Sequence, residues 1–345
     1  MMFMSCFAPV LAGSLHMFRW ATHQGGMWSG QAWRTGEFNQ NGNSYGKTDF
    51  AKVFELNGLV KIDVHKANGS ATFMYRAYEG LGDPITPAHW VTGDFDGNGL
   101  TDFAHIPPYR HGVTYVTTYC YLNNGVEGPQ QFSKHQWFTI PEQSATETFV
   151  SGDFDGDQID EFARIHLFAN TLYIDVFGVD NQVLGLQSSI EEYYQGGYFA
   201  WGQWVTGDFN GDGVDDIAHV FDDYGLNSID VFEHGKNGNL DIFVPRRYET
   251  RGGSYWPQQK WMALDGNGDQ IDEMVNVFYC GGAACVDIHY STSASMSWSR
   301  WVTGQGGYWD GQAWGVGDFN GDGKEELGKA FYDCGAASID VHLNY

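Results

Sequence analysis

Five short loops of this sequence set oxygen-bearing side chains at one fixed spacing. Asp94, Asp96, Asn98 and Asp102 stand at relative positions 1, 3, 5 and 9. The same positions hold Asp153, Asp155, Asp157 and Glu161, then Asp208, Asn210, Asp212 and Asp216. Two further sets are Asp265, Asn267, Asp269 and Glu273, and Asp318, Asn320, Asp322 and Glu326. Alternate acidic residues with glycine between them let a tight loop aim several oxygens at one centre. Hard oxygen donors in that number suit Ca²⁺. The other reading is an acidic turn whose Asp and Asn side chains bond their own backbone. The expectation is a structural calcium ion that pins each turn. A weaker copy at Glu37, Asn39 and Asn41 is interrupted before Asp49 and is expected to hold no ion.

A second pattern pairs glycines with an aromatic ring. Gly25-Gly26 precedes Trp28, Gly196-Gly197 precedes Phe199, Gly252-Gly253 precedes Trp256, and Gly306-Gly307 precedes Trp309. The corresponding positions of the remaining two copies are Ile85 and Ser144, so the fold does not require an aromatic there. Paired glycines permit turns closed to other residues and leave room above them. A ring beside such a turn can stack on the C–H face of a sugar while polar neighbours take its hydroxyls. Trp201, Tyr255 and the flanking Arg19, Trp20, Arg300 and Trp301 are expected to line the same sites. Core packing is the competing explanation for the rings.

The elements that position these residues follow from the repeat. The anchors Glu37, Asp94, Asp153, Asp208, Asp265 and Asp318 recur every 53 to 59 residues, which leaves no room for a seventh copy. Four residues before each anchor stands an aromatic: Trp33, Trp90, Phe149, Trp204, Trp261 or Trp314. Alternating runs such as DIAHVF and SIDVH follow, separated by Gly, Asn and Asp, which is the signature of strands and turns. Six copies of a four-stranded unit predict an all-β chain: one closed β-propeller domain spanning residues 1–345. The chain ends after the third strand of the last unit. A strand near residues 14–22 is expected to supply the fourth and close the ring.

Composition bounds the function. The 345 residues carry 43 Asp+Glu against 18 Lys+Arg, a net charge of −25 that repels a phosphate backbone and argues against nucleic acid. No apolar run approaches the roughly 20 residues of a membrane helix, so no membrane insertion is expected. The five cysteines form no disulfide framework. Cys280 and Cys285 could bridge a hairpin or remain free thiols. The N-terminal MMFMSCFAPVLAGS has no basic residue before its apolar stretch and is no convincing signal peptide.

The anchor loops resemble the calcium-binding FG-GAP, or VCBS, repeats of integrin α-chain propellers. RWATHQGGMWSGQAW, RWVTGQGGYWDGQAW, GDFNGDGKEELGKAF and ASIDVHLNY also resemble the repeat of the Photorhabdus-type propeller lectins, themselves similar to the lectin of Psathyrella velutina. That resemblance implies a multivalent, non-catalytic sugar-binding propeller with shallow sites between blades. It implies fucose, methylated sugars or N-acetylglucosamine on cell-surface glycoconjugates as ligands, and a protein secreted or released to act on a host outside the cell. Oligomerisation would add to the valency. Those lectins have seven blades, whereas the spacing here gives six. The middle copies lack the glycine–aromatic turn, so fewer sites are expected.

An enzyme and a protein-binding scaffold are the rival classes. An enzyme would need paired carboxylates at one centre, and the recurring acids are already explained by loop spacing. His65, His289 and His342 repeat one strand position, which argues for a structural or ligand-contact role. An integrin-like adhesion or toxin-complex scaffold has no need to repeat a glycine–aromatic turn.

Overall fold

The computed structural model describes residues 16–21, 31–38, 47–67, 72–81, 89–107, 113–122, 131–141, 147–168, 171–178, 186–189, 202–237, 240–256, 258–292, 294–303, 307–308, 311–333 and 336–343. Strand β1 is His16–Ala21. The first blade is β2 (Ala32–Gly36), β3 (Asp49–Leu56), β4 (Leu59–Ala67) and β5 (Thr72–Leu81). The second is β6 (His89–Gly93), β7 (Asp102–Ile106), β8 (Val113–Tyr121) and β9 (Phe132–Pro141). The third is β10 (Glu147–Gly152), β11 (Glu161–Phe168), β12 (Thr171–Phe177) and β13 (Leu186–Ser189). The fourth is β14 (Gln203–Gly207), β15 (Asp216–Asp223), β16 (Leu226–Asn237) and β17 (Leu240–Glu249). The fifth is β18 (Lys260–Leu264), β19 (Glu273–Cys280), β20 (Ala283–Thr292) and β21 (Ser295–Val302). The sixth is β22 (Ala313–Gly317), β23 (Glu326–Asp333) and β24 (Ala336–Leu343), completed by β1.

The N-terminal strand β1 pairs with β24 as the fourth strand of the sixth blade. His16 lies opposite Leu343 and Phe18 opposite Val341 in an antiparallel ladder. The inner strands β2, β6, β10, β14, β18 and β22 follow one another around the ring, and β22 returns to β2. The blade count is six, as the anchor spacing predicts, and not the seven of the resembled lectins. Among the described residues no helix is long and apolar enough to cross a membrane.

The phenylalanine after each anchor explains how neighbouring blades pack. Phe38, Phe95, Phe154, Phe209 and Phe319 are all buried. Phe38 stacks on Phe103 of the second blade at 5.1 Å, and Phe319 on Phe50 of the first at 5.3 Å. The fifth copy reads Leu-Asp-Gly where the others read Gly-Asp-Phe or a close variant. Leu264 is fully buried there, and a Cβ on Gly266 would meet its side chain at 2.8 Å. The leucine on one side of the anchor thus fills the volume lost on the other.

A transverse row at one register stitches the strands of each blade. In the first blade Trp33, Lys52, Asp63 and Arg76 are successive cross-strand neighbours. In the fifth they are Trp261, Asn276, Asp287 and Arg300. Arg76, Arg247 and Arg300 pair with Asp63, Asp230 and Asp287, and each lies over a phenylalanine: Phe54, Phe221 and Phe278 at 5.2, 5.0 and 5.0 Å. Within the row the ions are shielded on one side by a ring and neutralised on the other. The repeated histidines belong to the same layer. His65, His289 and His342 are buried against Trp33, Trp261 and Trp314 at 5.1, 4.7 and 5.7 Å. Burial lowers the pKa of His65 and His342 to about 3, so both are neutral packing groups. A disulfide joins Cys280 to Cys285 across the β19–β20 hairpin.

Candidate functional site at the blade seams

The acidic loops are built by their own backbone. Asp153 accepts N–H bonds from Gly156, Asp157 and Gln158 at 2.7, 3.1 and 2.9 Å. Asp208 does the same for Gly211, Asp212 and Gly213 at 2.7, 3.2 and 2.8 Å. Positions 4 and 6 take positive φ in every loop, which explains their glycines; Gln158 and Gln270 adopt it at φ 70 and 66. The position-9 carboxylate sits beneath, accepting the N–H of position 2: Phe154 to Glu161 at 2.9 Å and Phe319 to Glu326 at 2.9 Å.

Convergence of the carboxylates differs between loops. Asp153, Asp155 and Glu161 offer oxygens within 4.8 Å of one another, as do Asp318, Asp322 and Glu326. In the second loop the convergent group is Asp96, Asp102 and the thiol of Cys120. Asn210 and Asn267 turn their amides to donate to Asp216 and Glu273 at 3.1 and 2.6 Å, and Asn320 of the sixth loop likewise donates to Glu326. Burial, then the charge of neighbouring carboxylates, pushes Asp102 up to about 8, Glu161 to about 9 and Glu326, whose position-2 backbone N–H opposes the shift, to about 8. Burial foremost raises Asp216 to about 8 and Glu273 to about 7. Such crowding of oxygens is what a divalent cation would relieve, so the third and sixth loops have a donor set that fits Ca²⁺.

Position 8 carries a role that metal-ligand spacing does not reveal. It clips each blade to the one before it. The backbone N–H of Thr48, Thr101, Asp160, Asp215, Asp272 and Glu325 donates to the carbonyl of Asp318, Glu37, Asp94, Asp153, Asp208 and Asp265, at 2.7 to 3.0 Å. In five seams the same residue's side chain accepts the anchor's N–H in return: Thr101, Asp160, Asp215, Asp272 and Glu325, at 2.9, 2.7, 3.0, 2.9 and 3.0 Å. The glycine before the anchor makes room for it. A Cβ on Gly207 would stand 2.4 Å from Asp272.

The glycine–aromatic turn is described most completely between the fourth and fifth blades. A Cβ on Gly252 would fall 1.8 Å from Glu249 Oε1, and Gly253 has φ 74. Glu249 Oε2 meets His289 Nδ1 across the seam at 2.5 Å. Gly252 N–H donates to Asn227 O at 2.8 Å, Asn227 N–H to Gly253 O at 3.1 Å, and Tyr255 N–H to Gly225 O at 3.0 Å. Buried Gln259 ties these together: its Nε2 donates to Asn227 Oδ1 at 2.8 Å, and its Oε1 accepts from Trp256 N–H at 3.3 Å and Asn276 Nδ2 at 3.2 Å. On this rigid base the Trp256 side chain is 49% exposed. Half-buried Tyr255 precedes it in the turn, and exposed Tyr224 has its ring 5.4 Å from the Arg251 guanidinium, which pairs with Asp223 at 3.0 Å. An exposed ring on a turn fixed by hydrogen bonds can stack on a flat apolar face at small entropic cost.

The other expected residues fall into three groups. Trp28, Phe199, Trp201 and Trp309 lie outside the described residues. Arg19 and Trp20 lie on β1, where Arg19 is in register with Asp340, the place of the row arginines in other blades. Arg300 and Trp301 are engaged within the protein: Arg300 pairs with Asp287 over Phe278, and Trp301 packs on the core of the fifth blade. Of the rings four residues before the anchors, Trp33, Trp90, Phe149 and Trp261 are buried, as core packing requires.

No protein-family model and no curated protein matches the chain, so the FG-GAP resemblance rests on loop spacing alone. Solved structures are similar to it. A structure described as an Agrocybe aegerita lectin recognising non-reducing terminal N-acetylglucosamine is 14% identical over 87% of this chain and 74% of its own, with a TM-score of 0.51. The Photorhabdus luminescens Tc holotoxin pore is 12% identical over 94% of this chain and 15% of its own, at 0.46. A Bacillus licheniformis rhamnogalacturonan lyase is 13% identical over 93% and 74%, at 0.40. At 14% identity the likeness to the lectin is one of fold alone.

Proposed function

We propose that this propeller is a non-catalytic carbohydrate-binding protein with several shallow sites at its blade seams. The observation that carries the proposal is Trp256: a half-exposed ring on a turn that the fold's packing does not need but that a hydrogen-bond network holds still. Stacking on a pyranose C–H face, with polar groups of the turn taking hydroxyls, is the chemistry such a site performs. The shared fold with a lectin that recognises non-reducing terminal N-acetylglucosamine supports the class of ligand. N-acetylglucosamine, fucose and methylated sugars on cell-surface glycoconjugates are the candidates. Each site alone binds weakly because it buries little area, and several on one ring raise the avidity. Oligomers would raise it further.

Calcium in the acidic loops belongs to the same proposal, as a structural ion. The all-oxygen sets at Asp153, Asp155 and Glu161 and at Asp318, Asp322 and Glu326 are the best-formed candidates. A glycan array with the intact protein tests the sugar reading. Retention of terminal N-acetylglucosamine or fucose glycans is expected, and an array without a bound glycan at multivalent density contradicts it.

A further inference from the structure

The inner strands carry one guanidinium that no described carboxylate answers. Three residues before each anchor stand Arg34, Val91, Val150, Val205, Met262 and Gly315, so the fold does not require a cation at this place. Arg34 lies on β2, the inner edge of the first blade. Its Nη1 donates to Trp33 O at 2.8 Å, and its Nη2 to Trp90 O of the second blade at 2.5 Å. The guanidinium is thereby fixed across the seam between two inner edges, beside the axis of the ring. Both acceptors are neutral.

The absence of a counter-charge sets this residue apart. Arg76, Arg164, Arg246, Arg247, Arg251 and Arg300 each pair with an Asp or Glu. Among the described residues no carboxylate pairs with Arg34. Burial lowers its pKa, and no carboxylate charge opposes that shift. A charge taken out of water is costly unless it is paired. A second group feels the same cation. Burial, then the charge of Arg34, lowers the pKa of His89, which lies on β6 one residue before Trp90. Lys260 holds the equivalent place on β18, five residues before its anchor, and both side chains are exposed. His89 and Lys260 stand at the ends of the inner strands remote from the acidic loops. In a chain of net charge −25, an anion approaches the axis from that end.

We propose that Arg34 anchors an anion site beside the propeller axis, which takes the carboxylate of a small organic acid, with His89 at its entrance. Two bonds to carbonyls hold the guanidinium plane still, and its remaining N–H groups match the planar fork of a carboxylate. One guanidinium balances one negative charge, so a monocarboxylate fits and a polyanion does not. The site stands apart from the seam turn and from the acidic loops, and it holds or fails separately from the sugar reading.

The test is an acetate titration of the full chain, compared with chloride at the same ionic strength. It is read by the His89 ring signal in nuclear magnetic resonance, assigned with His89→Gln. Saturable binding of acetate is expected to raise the His89 pKa toward its ordinary value of about 6.5, because the Arg34 charge is neutralised. Arg34→Gln keeps an amide donor for the Trp33 and Trp90 carbonyls and removes the charge. Its His89 pKa starts above the parent's and no longer responds to acetate. Arg34→Lys keeps the charge without the fork, and weakens acetate binding by roughly tenfold or more, the scale of one charge-assisted hydrogen bond. A parent signal that acetate does not move would leave Arg34 as a clip between blades and overturn the site. An equal response to chloride, or a response that survives Arg34→Gln, overturns it as well.

Discussion

The ring of acidic loops and the turn at the fourth-to-fifth seam lie in the same chain but obey different rules. Every loop repeats one hydrogen-bond plan, and every position-8 residue clips to the preceding anchor. The seam turn is held just as firmly, by Asn227 and Gln259, yet leaves a large ring half exposed. Where every copy must agree, the residues serve closure of the ring. Where copies differ and a costly apolar surface stays in water, the residues are free to serve a ligand. The first region therefore predicts effects on folding, and the second effects on binding.

The largest effect tests closure. Deleting residues 1–22 removes β1 and leaves β24 as an open edge in the sixth blade. Loss of a single cooperative melting transition is expected by calorimetry. A truncated chain that melts as the parent does would show that the ring needs no closing strand.

Next come the clips. Asp272→Ala strips the acceptor from Asp208 N–H and opens a gap at the seam, with an expected cost of about 1–3 kcal/mol in chemical denaturation. Asp272→Asn keeps an acceptor at that position and cannot ionise, so it should cost less than Asp272→Ala. Equal losses for both would mean that the hydrogen bond to Asp208 does not hold this seam.

The same carboxylates set a pH dependence. Burial first raises Asp272 to about 8 and Asp215 to about 7, alongside Asp102, Asp216 and Glu326 at about 8. Unfolded, these groups titrate near ordinary carboxylate values of about 4. Between those limits the folded chain binds more protons than the unfolded one, so its stability falls as pH rises from about 4 to about 8. Calcium bound in the loops would hold the position-9 carboxylates ionised and flatten that fall, and would raise the melting temperature at neutral pH. Melting curves at several pH values, with calcium and with chelator, read both effects. A chelated protein that gains stability toward pH 8 would contradict the burial of these acids.

Much of the ring was legible because its repeat is strict. Anchor spacing gave the blade number, and the matching ends RWATHQGG and RWVTGQGG gave the closing strand. The clip at position 8 leaves a signal that spacing alone does not decode: Asp160, Asp215, Asp272 and Glu325 are acidic, and a glycine precedes the anchor each faces except where Leu264 stands. Spacing within one loop says nothing about which blade a side chain serves, and that partner lies 60 or so residues away. The soft donor of the second loop was hidden for the same reason, since Cys120 is brought to Asp102 only by pairing of β7 with β8. Arg300 flanks the turn in sequence, which suggests a sugar contact. Its pairing with Asp287 depends on a bulged register that local pattern does not encode.

The smallest expected change in stability tests the central claim most directly. In Trp256→Ala, melting temperature and binding of terminal N-acetylglucosamine or fucose glycosides are measured on the same preparation. The account predicts nearly unchanged melting and a loss of about 1–2 kcal/mol at that seam's site, the scale of one aromatic contact. A drop in stability of about 3–5 kcal/mol, the scale of a deleted core ring, or glycoside binding equal to the parent's at every site, would contradict it.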